Sequence, residues 1–319
     1  MSRRDCVFGM ITAVCLNPCI DKMVSIAGFQ YGGMNRIITA RSDVGGKGVN
    51  VAIVAAQLGM ESECIGFLRQ DNGKIVERKL LTSGTQGDFL WLDGQVRTNI
   101  KLLDQATGQV TEINEPGRPV GDEQLSKMVD LVCQHAQDSD FLVLTGSLPP
   151  GCPADYYKTL IEAVEGLNCR CVLDAEGERL ALGIQARPYL IKPNLYELET
   201  VVGRKLESLE DIQKAALGFI DQGIQVVAVS MGDRGALITD GEQTLYAPRV
   251  PVEVKSTVGA GDSMVAGLIA GLMAELPLQE VFRKGMACAA ASVMLEGTLL
   301  PNKATYRQLL TKVAIQTME

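Results

Sequence analysis

The sequence is poor in histidine, because His135 is the only one among 319 residues. A metal site built from several histidines is therefore excluded. His135 continues a helical pattern whose apolar residues lie at 125–133, which favours a structural or surface role for its ring. A general base that works at neutral pH is then most simply a carboxylate.

The sequence also lacks a C-x-x-C pair and a run of about 18 apolar residues that could form a transmembrane helix. Its nine cysteines are scattered and odd in number, which predicts reduced thiols in a cytosolic protein. An N-terminal apolar stretch faintly resembles a signal peptide, but Asn17-Pro18 interrupts it.

Positive charge is scarce as well, because the sequence has 30 Lys and Arg residues but 38 Asp and Glu residues, which gives a formal net charge of −8. Such a balance disfavours nucleic acids and anionic membranes as partners.

Apolar runs of strand length alternate with helix-like segments along most of the chain. The length allows one large α/β domain or two smaller ones. The strand-like runs predict a mainly parallel sheet covered by helices on both faces, and they lie at 7–16, 63–68, 141–144, 169–173 and 225–229. The last two helical patterns in the chain cover 260–296, as two packed helices, and 304–315.

Two stretches break this rhythm, at about 22–43 and 88–118. The first alternates weakly, and the second contains three short strand-like runs, at 89–92, 97–103 and 109–113, separated by turns. Together they predict a small, mostly antiparallel sheet inserted into the α/β domain. One face of such a sheet needs cover, which the active site or another subunit would supply.

The most informative turn is Val258-Gly259-Ala260-Gly261-Asp262, which precedes a run of small and apolar residues typical of a buried helix. Glycines let backbone N–H groups converge, and the helix adds unpaired N–H groups and a positive dipole end. The turn therefore fits an anion. Asp262 would repel a phosphate, so it suits the role of a base beside a transferred phosphoryl group. An ordinary aspartate in the first turn of a helix fits this stretch equally well.

A second glycine cluster, Gly45-Gly46-Lys47-Gly48, also opens a buried helix and predicts an anion or polyol site. Its spacing is neither that of a Walker A loop nor that of G-x-G-x-x-G. Asp21 follows the carboxyl end of a predicted strand, where open α/β sheets bind ligands. Asn194 and Glu197 share a face at a helix N-terminus, where an amide and a carboxylate suit hydrated Mg²⁺ or its phosphates. A capping box accounts for that pair equally well.

Five stretches, taken in order, resemble the ribokinase-like sugar kinase family in its phosphofructokinase-B branch. They lie at 45–52, 145–151, 192–197, 230–235 and 256–264. The resemblance implies a three-layer α/β/α ribokinase-like domain over 1–319, with the small sheet as a lid. Within the branch, residues 16–21, 97–101 and 111–114 are most similar to 1-phosphofructokinases and tagatose-6-phosphate kinases, which use ATP to phosphorylate a phosphorylated ketohexose.

The resemblance also implies roles for individual residues, with Asp262 as the base that deprotonates the attacking sugar hydroxyl. The N–H groups of an anion hole for the transferred phosphoryl belong to Gly259, Ala260 and Gly261. The residues on the sugar side, which hold its hydroxyls or its phosphate, are Asp21, Gly45, Gly46, Lys47, Asn50, Arg97, Ser147 and, reaching a partner subunit's site, Arg36. The residues on the nucleotide side are Lys192, Asn194, Ser230, Gly232, Gly235 and Thr257. Mg²⁺ is held through water by Asn194 and Glu197.

These roles imply that ATP and Mg²⁺ are used to convert fructose 1-phosphate to fructose 1,6-bisphosphate, in a cytoplasmic homodimer joined through the lid strands. Tagatose 6-phosphate or fructose 6-phosphate as the acceptor fits the same motifs. A sugar-phosphate sensor without catalysis is a hypothesis of a different class, which the intact Asp262 and its glycine turn disfavour.

Overall fold

In the computed structural model, residues 9–295 and 303–318 are described, and they form fourteen strands and ten helices. The strands are β1 (Met10–Cys15), β2 (Cys19–Ile26), β3 (Thr39–Gly45), β4 (Glu61–Arg69), β5 (Gln86–Leu92), β6 (Arg97–Asp104), β7 (Val110–Asn114), β8 (Phe141–Thr145), β9 (Arg170–Asp174), β10 (Leu190–Ile191), β11 (Val226–Ser230), β12 (Ala236–Thr239), β13 (Thr244–Ala247) and β14 (Gln316–Met318). The helices are α1 (Lys47–Leu58), α2 (Lys74–Thr82), α3 (Asp122–Ala136), α4 (Tyr156–Ala163), α5 (Gly177–Ile184), α6 (Leu195–Val202), α7 (Leu209–Ile220), α8 (Ala260–Met273), α9 (Leu278–Ser292) and α10 (Lys303–Lys312).

Ten of the described strands form a large sheet in the order β14-β13-β12-β11-β10-β9-β8-β1-β4-β5. The pairings from β5 to β11 are parallel, and those from β11 to β14 are antiparallel. The carboxyl ends of the parallel strands therefore meet along one edge, which is where open α/β sheets bind ligands.

Each face of the large sheet carries its own hydrophobic core, because successive strand residues point to opposite sides. Ile11 and Ala13 of β1 pack into the core shared with α1, α2, α8, α9 and α10. Val14 of the same strand packs into the core shared with α3 to α7. The predicted three-layer α/β/α architecture is confirmed.

Helices α8 and α9 pack closely, as the small residues of their sequence predict. A Cβ atom on Gly271 would lie 2.6 Å from the Cα of Val281, so the two backbones meet where only glycine fits. This contact fixes the direction of α8, whose N-terminus carries the predicted anion site.

The small sheet has the order β3-β2-β6-β7. Its β2–β3 and β6–β7 pairings are antiparallel, while β2 and β6 run parallel. The predicted run at 89–92 is not part of it, and that assignment was wrong. This run belongs to β5, which follows α2 and pairs in parallel with β4 at the edge of the large sheet, with Phe89 buried in the core. The turn at Asp93-Gly94 connects the two sheets and does not close a hairpin within the small one.

Several smaller expectations concern the first strand, the C-terminal helices, the cysteines and the helix lengths. The first strand covers Met10–Cys15 of the predicted 7–16, and residues 7 and 8 lie outside the described part, as does residue 296 of the predicted pair of helices. All cysteines in the described ranges are free thiols, and Cys6 lies outside these ranges. Over the described ranges, every helix is too short or too polar to cross a bilayer.

Candidate active site

The predicted base, Asp262, lies in the first turn of α8. The helix begins after Gly259, whose φ of 77° is in the left-handed region that favours glycine. Asp262 is only 4% exposed, and the side-chain amide of Asn50 donates to its Oδ2 at 2.7 Å. Burial raises the pKa of Asp262 to about 6, although the Lys47 ammonium acts in the opposite direction. The carboxylate is thus a stronger base than an ordinary aspartate and remains mostly ionised at neutral pH.

The turn around Asp262 presents backbone N–H groups at a helix N-terminus. The N–H of Ala260 donates to the Thr257 carbonyl at 3.3 Å, which is a long bond. A Cβ atom on Gly261 would lie 3.3 Å from Nζ of Lys192, so the glycine lets this ammonium approach the backbone. An ammonium group beside a helix N-terminus makes a site for an anion.

A buried carboxylate, Asp174, connects the two predicted lysines. Its Oδ2 lies 3.2 Å from Nζ of Lys47, and its Oδ1 lies 3.2 Å from Nζ of Lys192. The Thr145 hydroxyl donates to Oδ2 at 3.0 Å. Burial acts to raise the pKa of Asp174, but the Lys192 and Lys47 ammonium groups outweigh it and hold the pKa at about 2. The same pairing raises the pKa of Lys47, so Asp174 and Lys47 both stay charged at neutral pH.

Arg97 lies at the junction of two cavities, of about 220 and about 500 Å³. Both are lined by Arg97, Ser147 and Asn17. The Arg97 guanidinium donates to Ser147 Oγ at 3.1 Å, to the Asn17 carbonyl at 3.2 Å and to the Glu115 carbonyl at 3.1 Å. Gly46 and Lys47 line the smaller cavity as well. Four of the predicted sugar-side residues, Gly46, Lys47, Arg97 and Ser147, thus line one cavity.

Asp21 lies where the small sheet meets the glycine turn. A Cβ atom on Gly45 would lie 2.5 Å from Asp21 Oδ2, so this close approach requires glycine. Asn99 donates to Asp21 Oδ1 at 3.1 Å, and Nζ of Lys101 lies 3.8 Å from Oδ2. The carboxylate is thereby fixed beside Asn99, which lines the smaller cavity.

On the nucleotide side, Asn194 and Glu197 form the capping box that was one of the two interpretations of this pair. Asn194 Oδ1 accepts from the Glu197 N–H, and Glu197 Oε2 accepts from the Asn194 N–H, both at 2.8 Å. Burial raises the pKa of Glu197, partly opposed by the Asn194 N–H. Across the described ranges, no group of three or more His, Cys, Asp or Glu side chains could hold a metal ion. The pair still fits Mg²⁺ bound through water and phosphates, because a cation would offset the charge buried at Glu197.

The remaining residues that are predicted to bind the nucleotide follow the carboxyl end of β11 or precede α8. The backbone of Ser230 forms an isolated parallel β-bridge with Asn194, and its N–H donates to the Pro193 carbonyl at 3.1 Å. Gly232 and Gly235 bound the next turn, where a Cβ atom on Gly235 would lie 2.0 Å from the Ala247 carbonyl oxygen. Thr257 is exposed just before the α8 turn.

Arg36 is a predicted sugar-side residue that lies in an exposed segment outside both cavities. It is exposed in the segment 27–38 between β2 and β3. Among the described residues that line the two cavities, Arg36 does not appear.

The chain matches the family model of the pfkB family carbohydrate kinases over residues 15–305. It belongs to this family. It is 36% identical to the 1-phosphofructokinase of Rhodobacter capsulatus over 309 residues, which cover 97% of this chain and 98% of the relative. With the 1-phosphofructokinase of Bacillus subtilis it shares 35% identity over 306 residues, or 96% of this chain and 99% of the relative.

Phosphofructokinase-2 from Escherichia coli has the same fold. Its crystal structure in complex with substrates and products superposes with a TM-score of 0.88 and 28% identity, covering 95% of this chain and 98% of that one. Its tetrameric inhibited form has a TM-score of 0.87 over the same shares of each chain. The ribokinase-like fold expected from the sequence is confirmed.

Two residues of this candidate site, Asp174 and Asn17, were not predicted from the sequence. Asp174 ends a buried strand, and Asn17 follows another one closely. Their position at the carboxyl edge of the parallel sheet was the signal that could have singled them out. Asn17 donates to Ser147 Oγ at 3.2 Å and accepts from Arg97 through its carbonyl, so it fixes two predicted sugar-side residues, of which Arg97 is the one predicted to bind the phosphate.

Proposed function

We propose that this protein transfers the γ-phosphoryl group of ATP to the 6-hydroxyl of fructose 1-phosphate, giving fructose 1,6-bisphosphate and ADP. One observation carries the proposal: a buried carboxylate of raised pKa, Asp262, adjoins a helix N-terminus and the Lys47–Asp174–Lys192 cluster. A base next to an anion site is what phosphoryl transfer to an alcohol requires. The full-length similarity to two 1-phosphofructokinases supports this choice of acceptor.

In this proposal Asp262 accepts the proton of the attacking 6-hydroxyl, and the Asn50 amide orients the carboxylate. The transferred phosphoryl lies against the N–H groups of Gly259, Ala260 and Gly261. The Lys192 ammonium, which Gly261 allows to come close, adds positive charge where negative charge develops. Positioning and charge stabilisation supply most of the rate enhancement in reactions of this type.

The sugar phosphate occupies the smaller cavity, with its phosphate at Arg97 and Ser147. A guanidinium group can bind a phosphate through two N–H groups, which favours phosphorylated sugars over free ones. The sugar hydroxyls contact Asp21, Lys47 and the backbone at 45–46, while the small sheet acts as a lid that excludes water.

ATP binds along the carboxyl ends of β10 and β11. The residues proposed to hold it are Lys192, Asn194, Ser230, Gly232, Gly235 and Thr257. Asn194 and Glu197 would hold Mg²⁺ through water. When bound, this ion neutralises phosphate charge and orients the γ-phosphoryl group.

The acceptor is tested by measuring ADP release with fructose 1-phosphate, tagatose 6-phosphate and fructose 6-phosphate. We expect the highest kcat/KM with fructose 1-phosphate. A higher value with either of the other sugars would contradict the choice of acceptor but not the kinase activity. No turnover with any of the three would contradict the proposed function.

We further propose a homodimer that forms through the small sheet, with Arg36 reaching the partner's sugar site. Apolar side chains are about half exposed on this side of the molecule, including Phe29, Val110 and Ile113, and a patch of this kind is typical of an interface. Sedimentation equilibrium at micromolar concentration should give the mass of a dimer. A monomeric mass would contradict this part of the proposal.

A cytoplasmic location completes the proposal. Free thiols throughout the described part of the chain fit a reducing compartment. The negative net charge disfavours nucleic acid and anionic membranes as partners. Small phosphorylated ligands can still bind, because Lys47 and Lys192 supply positive charge locally.

A further inference from the structure

Strand β6 places two polar side chains on the buried face of the small sheet. Asn99 is 8% exposed and Lys101 is 9% exposed, while Thr98 between them lies on the opposite side of the strand. The parallel register puts Asn99 directly opposite Asp21 of β2. Asp21, Asn99 and Lys101 therefore form one polar row that faces the glycine turn.

The amide of Asn99 has one oxygen without a partner. Its Nδ2 donates to Asp21 Oδ1 at 3.1 Å, which fixes the orientation of the amide, because a flipped amide would bring two acceptor oxygens together. Oδ1 is then buried and accepts no hydrogen bond from any described residue. Buried acceptors are rarely left unpaired in folded proteins, and such an atom calls for an explanation.

The position of Asn99 supplies that explanation. It lines the cavity of about 220 Å³ together with Lys47, Arg97 and Ser147. Because Asn99 lines this cavity, a ligand bound there can supply the donor that its carbonyl oxygen lacks. A sugar hydroxyl can donate, whereas a phosphate dianion offers only acceptor oxygens.

We propose that Asn99 is a specificity-determining residue whose Oδ1 accepts a hydrogen bond from one secondary hydroxyl of the phosphosugar. This inference rests on the proposed function and adds to it the group that distinguishes the two ends of the substrate. Arg97 and Ser147 attract the phosphate at one end of the cavity, and the carbonyl of Asn99 repels it at the other. The sugar can then enter in one direction only, with its reacting hydroxyl towards Asp262.

The bond to Asp21 makes this arrangement rigid. Asp21 holds the Asn99 amide by accepting from Nδ2, and Lys101 at 3.8 Å balances the charge of the carboxylate. Since Asn99 does not have to be oriented when the substrate binds, the hydrogen bond to the hydroxyl costs little conformational entropy.

The test combines enzyme variants with deoxy substrates. We would measure kcat and KM for fructose 1-phosphate and for its 3-deoxy and 4-deoxy analogues, with wild type, Asn99→Leu and Asn99→Ser. Thr98→Val is the matched control, because it removes a polar group from the same strand on the opposite side. The KM for ATP shows whether each variant retains a folded nucleotide site.

We expect Asn99→Leu to lower kcat/KM for fructose 1-phosphate about tenfold, mainly through KM, and to leave the KM for ATP unchanged. Wild type should discriminate against one deoxy analogue by a similar factor, and Asn99→Leu and Asn99→Ser should lose that discrimination. Thr98→Val should behave as wild type with every substrate.

Unchanged discrimination by both Asn99 variants against both analogues would overturn the inference, since Oδ1 would then bind only water. In that outcome a wild type active on fructose 1-phosphate leaves the proposed function standing. A wild type inactive on all ketohexose phosphates would overturn the proposed function, and this inference with it.

Discussion

Replacing Asp262 by asparagine is the most direct test of the proposed chemistry. The substitution keeps the size of the side chain and the contact with Asn50 but removes the proton acceptor. Loss of a general base lowers a rate by about 10²- to 10⁴-fold, which corresponds to about 3–5 kcal/mol of transition-state stabilisation. Sugar and ATP binding should change little, because the ground state does not need the base.

The pH dependence gives this prediction a second, independent readout. With a pKa of about 6, Asp262 is about 90% ionised at pH 7 and about 10% ionised at pH 5, so kcat/KM should fall about tenfold between these values. The phosphate of the substrate also titrates near pH 6 and contributes its own decrease. Wild type should therefore show both effects, and Asp262→Asn only that of the substrate.

The assay is chromatographic detection of ADP between pH 5 and 8, which avoids a coupling enzyme with its own pH limits. Thermal unfolding of both proteins at each pH serves as the control for folding. Turnover of Asp262→Asn within threefold of wild type would refute the role of Asp262, as would the same pH profile in both proteins.

Three further predictions concern other charged groups. Asp174→Asn should lower the free energy of unfolding by about 3 kcal/mol, because breaking a buried ion pair leaves the Lys192 charge uncompensated; urea denaturation measures it, and a change below about 1 kcal/mol would contradict the reasoning. Arg97→Ala should raise the KM for fructose 1-phosphate far more than that for ATP, with Arg97→Lys in between, whereas equal increases would indicate a structural role. His135 should stabilise the fold at neutral pH, because the hydrogen bond to Glu63 raises its pKa to about 9. This contribution is complete below the unfolded pKa of about 6.5 and is lost as the pH rises through 9, so the difference in unfolding free energy between wild type and His135→Gln should shrink over that range.

Much of the α/β core could be predicted because its strands are buried on both faces and read as apolar runs. The run predicted at 225–229 is found at Val226–Ser230, for example. The strands at the two edges of the large sheet, β14 and β5, were harder to predict. Strand β14 has three residues, Gln316–Met318, and exists through its pairing with distant β13, so no local pattern marks it. Strand β5 was assigned to the wrong sheet because the Asp93-Gly94 turn that follows it is typical of a β-hairpin. Its actual partner is β4, since helix α2 connects the two strands and lets them pair in parallel.

Some residues of the candidate site could likewise be predicted from the sequence and others could not. Glycine turns are visible in a sequence because the residue type itself reports the backbone conformation or close approach, as at Gly259 and Gly45. Asp174 was not predicted, because its importance depends on lysines supplied by two other parts of the chain. The two interpretations of Asn194 and Glu197 prove compatible, since the capping box employs only Oε2 of the Glu197 carboxylate.

In the proposed mechanism, Asp174 influences catalysis although it need not touch the substrate. Two lysines beside Asp262 act to lower its pKa and would make it a weaker base. Asp174 pairs with both of them and, by its own negative charge, acts to raise the pKa of Asp262. The lysines can therefore serve the transferred phosphoryl group without taking away the basicity of Asp262. In a chain with a single histidine, the proposed general base is thus a buried carboxylate with a pKa of about 6, whose neighbouring charges act in opposite directions.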